Sequence, residues 1–558
     1  MGLPTARHAS AAPCRRACAG ALCIVALVAW VFWPGVHGDW GRDDYFQLAL
    51  ARLIGSPWPL FIHDHFPVPG SVFRPLGFAS MWLDTALFGT RYAAHAIVDL
   101  GLHAATALAL YALLLRLRVG VLAACACTLL FALHPAALGT ALWWSARFDL
   151  LATLFVLLGL ASAIAYRDHR GTPALAATLL AMLAAMLCKE TGLLVVVPVT
   201  WLWLREAALD RAARAPLLRA VALAWLVVVA YFAWRSAVLG TAASALTGPL
   251  PVATAIGKGL LDWLRQMPGY VSFAARLEPW QRGALVVAIV LCGAALLVTV
   301  WPSRTRLCER SRSGIDAAVC GLCLFVLPAL LQAPVAALNA APLAGAQSAV
   351  EAAMQSRLYY LGLAGLALLA AALAGRRRRK GAAHAALMIA IAFAVFGFAA
   401  ASHRAADEFA RRSLAISAPA HAAVAAVAAL DLPAGNCHVV FTGIDPAPEW
   451  GRFVSMESMV KALSPGLERI AHCWFHADYP TWFHLLAAPA VETDAMPWRP
   501  LAQGGVPVPW RTVGGLVIAY LQPMPASSSP GVRVLRYRDG RFEPLPADTP
   551  IRADGEWQ

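Results

Sequence analysis

Runs of about twenty apolar residues recur along the chain, each closed by a short polar segment, and that length suits a helix crossing ~30 Å of hydrocarbon. Eleven can be read, at 20–37, 93–115, 120–140, 148–166, 173–188, 191–204, 217–239, 283–301, 316–332, 357–375 and 384–402. The fifth and sixth are short and meet at Cys188-Lys189-Glu190, which predicts a tight hairpin. The first follows Arg15 and Arg16 and shows no small-x-small cleavage site after Trp33-Pro34, so it reads as an anchor. Residues 66–92 contain Pro67, Pro69, Pro75 and a run, Phe78 to Phe88, too short to span, which fits a re-entrant or interfacial element. Residues 252–266 alternate apolar and polar positions at helical spacing and predict a helix lying on the outer surface.

The pattern changes after Ser402. An Ala-rich helix is expected from Arg404 to Leu430, followed by short β-like runs such as His438 to Phe441 and Leu516 to Tyr520 among Pro and Gly punctuation. The expected class is an all-α polytopic membrane protein of about 11 transmembrane helices, residues 1–402, with a small soluble α/β domain at 403–558. Cys437 and Cys473 are the only cysteines of that tail, so a disulfide and simple packing are both open.

Composition agrees with the periodicity. Of 558 residues 60% are hydrophobic and 14% charged, more apolar surface than a soluble chain of this size can bury. The net charge of +14 does not point to nucleic acid, because the tail carries 13 basic and 15 acidic residues and the excess lies in short loops between apolar runs. Those loops orient the chain. With the N-terminus cytoplasmic, the inner segments hold twenty Lys and Arg, ending in Arg376 to Lys380, against five acidic residues. An odd span count then places residues 403–558 outside, in a plasma (inner) membrane protein whose long first outer loop is 38–92.

On this topology the ionisable residues gather at the outer ends of the spans. Asp43-Asp44 follows the first span closely; Arg74 and Pro75 come next in the same loop; His95 and Asp99 lie four apart on one helical face. His134 closes the third span, Arg147 and Asp149 open the fourth, Lys189-Glu190 joins two short runs, and Arg357 to Tyr360 opens the tenth. Adjacent carboxylates can divide labour between taking a proton and holding a metal, although Asp43-Asp44 also fits a solvated acidic turn. Arg74, Lys189 and Arg357 suit an anionic phosphate, and equally suit anchoring at helix ends. A Lys-Glu pair between apolar runs is costly unless it faces a cavity or Glu190 neutralises Lys189. Helix-end packing explains His95, His103 and His134 as well as ligation does.

In order along the chain, several blocks resemble the GT-C superfamily of multispanning glycosyltransferases, and within it the protein O-mannosyltransferase-like branch that includes tetratricopeptide-bearing members. The blocks are Asp43-Asp44; Phe73-Arg74-Pro75-Leu76; Leu87-Phe88-Gly89 on to His95 and Leu102-His103-Ala104; Leu133-His134-Pro135 with Ala141 to Phe155; Lys189-Glu190-Thr191; and Arg357 to Leu361. They cover residues 38–375, and no tetratricopeptide array follows. The resemblance implies transfer of a sugar from a polyprenyl-phosphate donor to a glycan, lipid or protein acceptor at the outer face, with inversion. It gives Asp43 or Asp44 the role of base or ligand to a divalent cation (Mg or Mn), and gives Arg74, Lys189 and Arg357 the donor phosphate. Glu190, His95, His134, Arg147 and Tyr359 become cavity candidates. A lipid-linked glycan flippase or polymerase is the alternative reading, although a transporter would place its site nearer the midplane between broken helices.

Overall fold

The computed structural model describes residues 11–41, 43–64, 72–240, 309–338, 356–374, 382–432, 437–444, 455–470, 472–477, 511–513, 516–518 and 532–546. The run at 283–301, the surface helix at 252–266 and the basic cluster 376–380 lie outside these residues. Helices α1 (Ala11–Phe32), α2 (Asp44–Leu53), α3 (Pro59–Ile62), α4 (Pro75–Phe88), α5 (Tyr92–Arg116), α6 (Val121–Ala132), α7 (Leu138–Leu142) and α8 (Arg147–His169) come first. They are followed by α9 (Thr172–Cys188), α10 (Val196–Leu209), α11 (Arg211–Leu239), α12 (Glu309–Leu338), α13 (Tyr360–Ala374) and α14 (Ala382–Ala429). The remaining helices, α15 (Met456–Leu463) and α16 (Leu467–Ile470), accompany strands β1 (Cys437–Thr442), β2 (Cys473–Ala477), β3 (Arg511–Val513), β4 (Leu516–Ile518), β5 (Val532–Arg538) and β6 (Arg541–Pro544).

Six described helices are long and apolar enough to cross a membrane, and a seventh crossing results if Val121–Ala132 and Pro135–Leu142, bent by 58°, act as one. The bend falls at His134-Pro135, where proline removes a backbone donor. The expected runs at 173–188 and 357–375 form shorter apolar helices, and 316–332 lies within α12. The run at 384–402 does not end where expected: with no Gly or Pro between Ser402 and Arg404, it continues into the Ala-rich segment as a single helix of 48 residues. The Phe78 to Phe88 run is the 14-residue helix α4, begun by Pro75 and stopped by Gly89 at φ +62°.

Packing divides the chain into two compact units, one of Met1–Gly35, Ala96–Phe232 and Thr247–Glu408, the other of Val36–His95, Ala233–Leu246 and Phe409–Gln558. The boundary therefore departs from the compositional one at 403: the first loop packs with the C-terminal part, α2 lying along α15. Composition registers apolar content, whereas this division follows which backbone segments lie together.

In the first unit α8 and α9 form an antiparallel hairpin, turned by Arg170 at φ +54° and Gly171. Helices α12 and α13 cross at Gly321 and Gly365, where a Cβ on either would lie within 3 Å of the other's carbonyl oxygen, so only glycine permits the approach. Asp316 of α12, fully buried, takes Arg167 Nη1 at 2.5 Å and Arg205 Nη1 at 2.6 Å, tying together the ends of α8 and α10. Two of the basic residues that lie between the apolar runs are thus bound internally.

In the second unit the sheet order is β2-β1-β5-β6, with β1 parallel to both β2 and β5 and with β5 and β6 an antiparallel hairpin. Asp539 and Gly540, both at positive φ, make its two-residue turn, the conformation that Asp-Gly favours. Residues 437–441 of β1 are all buried, as a central parallel strand requires. Cys437 and Cys473 stand opposite each other in the β1/β2 register and are joined in a disulfide, which decides between the two readings of that pair.

Candidate active site

The acidic loop belongs to the second unit. Trp40 is buried; its indole Nε1 donates to Thr90 O at 3.1 Å, and its carbonyl accepts from Tyr45 Oη at 3.0 Å. A tight turn follows, with Asp44 N donating to Gly41 O at 3.1 Å. Asp43 and Asp44 consequently occupy different positions. Asp43 is half-buried at the N-cap of α2 and its side chain makes no capping bond. Asp44 is 2% exposed in the first turn of α2, where its Oδ2 accepts from Gly41 N at 3.2 Å. A carboxylate in a helix's first turn also gains from the helix dipole.

Beside the loop, His95 Nε2 donates to Gly89 O at 2.9 Å and Nδ1 lies 3.8 Å from Asp84 Oδ2. Trp40 and Phe88 meet its ring edge-on. The bond to Gly89 O orients His95, and near its other nitrogen lies Asp84, a buried carboxylate of α4 that stands within the apolar run. A charged residue inside such a run is the signal that would have found it. Arg74 is half-buried and immediately precedes Pro75 at the start of α4.

The other candidates lie in the first unit, where two buried ion pairs organise them. Arg147 Nε donates to Asp99 Oδ1 at 2.6 Å, joining the start of α8 to α5. Two residues further, Asp149 receives Lys189 Nζ on both oxygens at 2.6 Å. Lys189 is held there by extended backbone, φ −161° and ψ 150°, between the end of α9 and the 3₁₀ turn Glu190–Val195. Gly192 lies against the Ala185 carbonyl with no room for a Cβ. The two short runs meet at Lys189, which pairs with Asp149. The start of α8 brings this carboxylate directly to the ammonium.

Arg357 opens the 3₁₀ turn Ser356–Tyr359, with its guanidinium 4.1 Å from the centroid of the Trp143 ring. Tyr359 is half-buried, and its neighbour Tyr360 donates from Oη to His103 Nδ1 at 2.6 Å. His103 Nε2 donates to Ala132 O at 2.9 Å, which fixes the tautomer. His134 accepts from Ala136 N at 3.1 Å as the N-cap of the turn at Pro135, and packs edge-on to Phe398. Its visible work is capping. Among the described residues, the grouping of three His, Cys, Asp or Glu ligand atoms near one another is Cys437, His472 and Cys473 rather than a set around Asp43-Asp44, and its two sulfurs are spent in the disulfide.

No protein-family model matches the chain, and no curated protein matches it in sequence. Among solved structures it is similar to the Archaeoglobus fulgidus oligosaccharyltransferase complexed with Zn and sulfate, at 13% identity and TM-score 0.41, over 80% of this chain and 62% of that one. The same enzyme tethered to an acceptor peptide gives 13% identity and TM-score 0.38, over 81% and 64%. ArnT from Cupriavidus metallidurans bound to undecaprenyl phosphate gives 17% identity and TM-score 0.35, over 79% and 84%. The chain thus spans under two thirds of the oligosaccharyltransferase, and overlaps at these scores establish no activity for it.

Proposed function

We propose that this protein is a membrane glycosyltransferase that moves a sugar from a polyprenyl-phosphate donor to an acceptor at the extracytoplasmic face, with inversion. The observation that carries the reading is the Asp43-Asp44 pair, fixed by its own turn at the start of α2 immediately after the first apolar helix. Displacing a sugar from a lipid phosphate requires a base beside the attacking hydroxyl and positive charge for the departing phosphate. Asp43, half-buried at the N-cap of α2, is assigned the base; Asp44, buried and bonded to Gly41 N, holds the turn. The acceptor hydroxyl gives its proton to Asp43 as its oxygen bonds to the anomeric carbon, and the bond from that carbon to the phosphate oxygen breaks. Polyprenyl phosphate leaves with the electron pair.

Arg74, which belongs to the same unit as Asp43 and Asp44 and stands at the start of α4, is the preferred phosphate ligand, because a guanidinium presents a planar fork that matches a phosphate. Asp43 and Asp44 offer the oxygen ligands that suit Mg or Mn, ions that commonly bind through one or two carboxylates plus water and phosphate. Such an ion would add positive charge for the leaving phosphate.

Purified protein assayed with polyprenyl-phosphate sugars tests the assignment. Asp43→Asn is expected to lower kcat by about 10²–10⁴-fold with donor binding retained. Transfer at the wild-type rate by both Asp43→Asn and Asp44→Asn would remove the pair from the mechanism.

A further inference from the structure

The second unit grips the acidic loop on both sides of Asp43-Asp44. On the N-terminal side, Asp39 meets a stripe of three α14 residues spaced four apart, hence on one face. Its backbone N donates to Ser413 Oγ at 2.9 Å, while its Oδ2 accepts from Ser417 Oγ at 2.8 Å and from His421 Nε2 at 2.6 Å. Its other oxygen accepts from Trp40 N at 2.8 Å, so one carboxylate joins the helix stripe to the backbone of the loop.

On the C-terminal side, Arg52 in the last turn of α2 closes the end of α15. Nη1 donates to Lys461 O at 2.9 Å and to Ala462 O at 2.6 Å, and Nη2 donates to Ser464 O at 2.7 Å. The last carbonyls of a helix have no partner within it and carry its negative dipole end, so a guanidinium is well matched to them. The Glu468 carboxylate adds an attractive field. Behind this contact α15 is itself fixed: Glu457 pairs with Lys461 at 2.6 Å and accepts from Phe475 N of β2 at 2.6 Å. The same α15 end thus links the α2 helix to the sheet.

We propose that Asp39 and Arg52 are positioning residues, through which the C-terminal part of the chain sets the place of the acidic pair. The two pins lie four residues before Asp43 and eight after Asp44, and neither is needed to touch substrate. This rests on the glycosyl-transfer reading for its effect on turnover, but the clamp has a readout independent of any activity. Effects on rate follow because displacement of a reacting group by about 1 Å can cost about 10²-fold.

The test uses the full-length protein in lipid nanodiscs, comparing Arg52→Ala, Arg52→Lys and the double variant Ser417→Ala/His421→Gln with wild type. Amide exchange read by mass spectrometry over 39–53 is expected to accelerate by about tenfold in Arg52→Ala and in the double variant, with the apolar helices unchanged. Arg52→Lys, which keeps the charge but not the fork, falls between. With a polyprenyl-phosphate sugar, kcat falls about tenfold or more at unchanged donor KM, and Arg52→Lys restores part of it. If Arg52→Ala loosens the whole chain, the double variant decides, since its substitutions are milder. Wild-type exchange over 39–53 in the double variant and in Arg52→Ala overturns the clamp; faster exchange with wild-type kcat overturns its positioning role. Faster exchange in a protein whose wild type transfers no sugar leaves the clamp standing and removes the glycosyl-transfer reading alone.

Discussion

The Lys189-Asp149 pair lends itself to a quantitative test. Both side chains are 8% exposed, and the ammonium lies 2.6 Å from each carboxylate oxygen. At an effective dielectric of ~20 the attraction at that distance is about 6 kcal/mol, while taking each ion out of water costs several kcal/mol. The intact pair therefore contributes little net stability, but removing one member leaves the other buried without its countercharge, at a cost of about 3–5 kcal/mol. Lys189→Met and Asp149→Asn should each lower Tm by about 6–20 °C, at roughly 2–4 °C per kcal/mol for a large unit. The double variant Asp149→Asn/Lys189→Met should recover about 2–3 kcal/mol of the summed loss. Thermal unfolding of detergent-solubilised protein followed by tryptophan fluorescence measures all four species. Simple additivity of the two single losses would refute the pairing as the determinant of this site.

Other expectations follow from the same reasoning. Burial alone would raise the Asp39 carboxyl, but hydrogen bonds from His421, Trp40 N and Ser417 outweigh it and hold the group below its ordinary 3.8. Its stabilising contribution should be full above that value and disappear as pH falls through the lower folded one, so Asp39→Asn should flatten acid unfolding in that window. Gly365→Leu should force α12 and α13 apart and cost at least about 1–3 kcal/mol, read as a lower Tm. Opening the Cys437-Cys473 bridge, with its separation of 36 residues, should cost the second unit about 4 kcal/mol, measured by denaturant unfolding of Cys437→Ser/Cys473→Ser.

The chain's local signals were legible where one stretch of sequence suffices. The Lys189 break, the short Phe78 to Phe88 helix and the acidic pair after the first apolar helix all depend on local length, composition and order. Partner choice was not legible. Glu190 adjoins Lys189 in sequence, yet Asp149 takes the ammonium, because the α8-α9 hairpin decides which carboxylate arrives. His134, for which a helix-end role suited the sequence as well as ligation did, caps the turn at Pro135, since a bend at proline leaves backbone donors that a nearby imidazole can satisfy. The partners of Asp39 leave no local trace, for Ser413, Ser417 and His421 lie more than 370 residues away in the chain. The boundary at 403 followed composition, which does not record that α2 and α15 are packed together.

The order of the sheet has a consequence for synthesis. Strand β1 is completed at Thr442, whereas its second parallel neighbour, β5, begins at Val532. About ninety residues must be translated between them, or about 5–20 s at ordinary elongation rates. For that interval the apolar strand Cys437–Thr442 has one open edge, the kind of surface that pairs with the wrong chain. A nascent or truncated protein ending before Val532 would keep that edge permanently, and should be the form that chaperones hold and proteases remove.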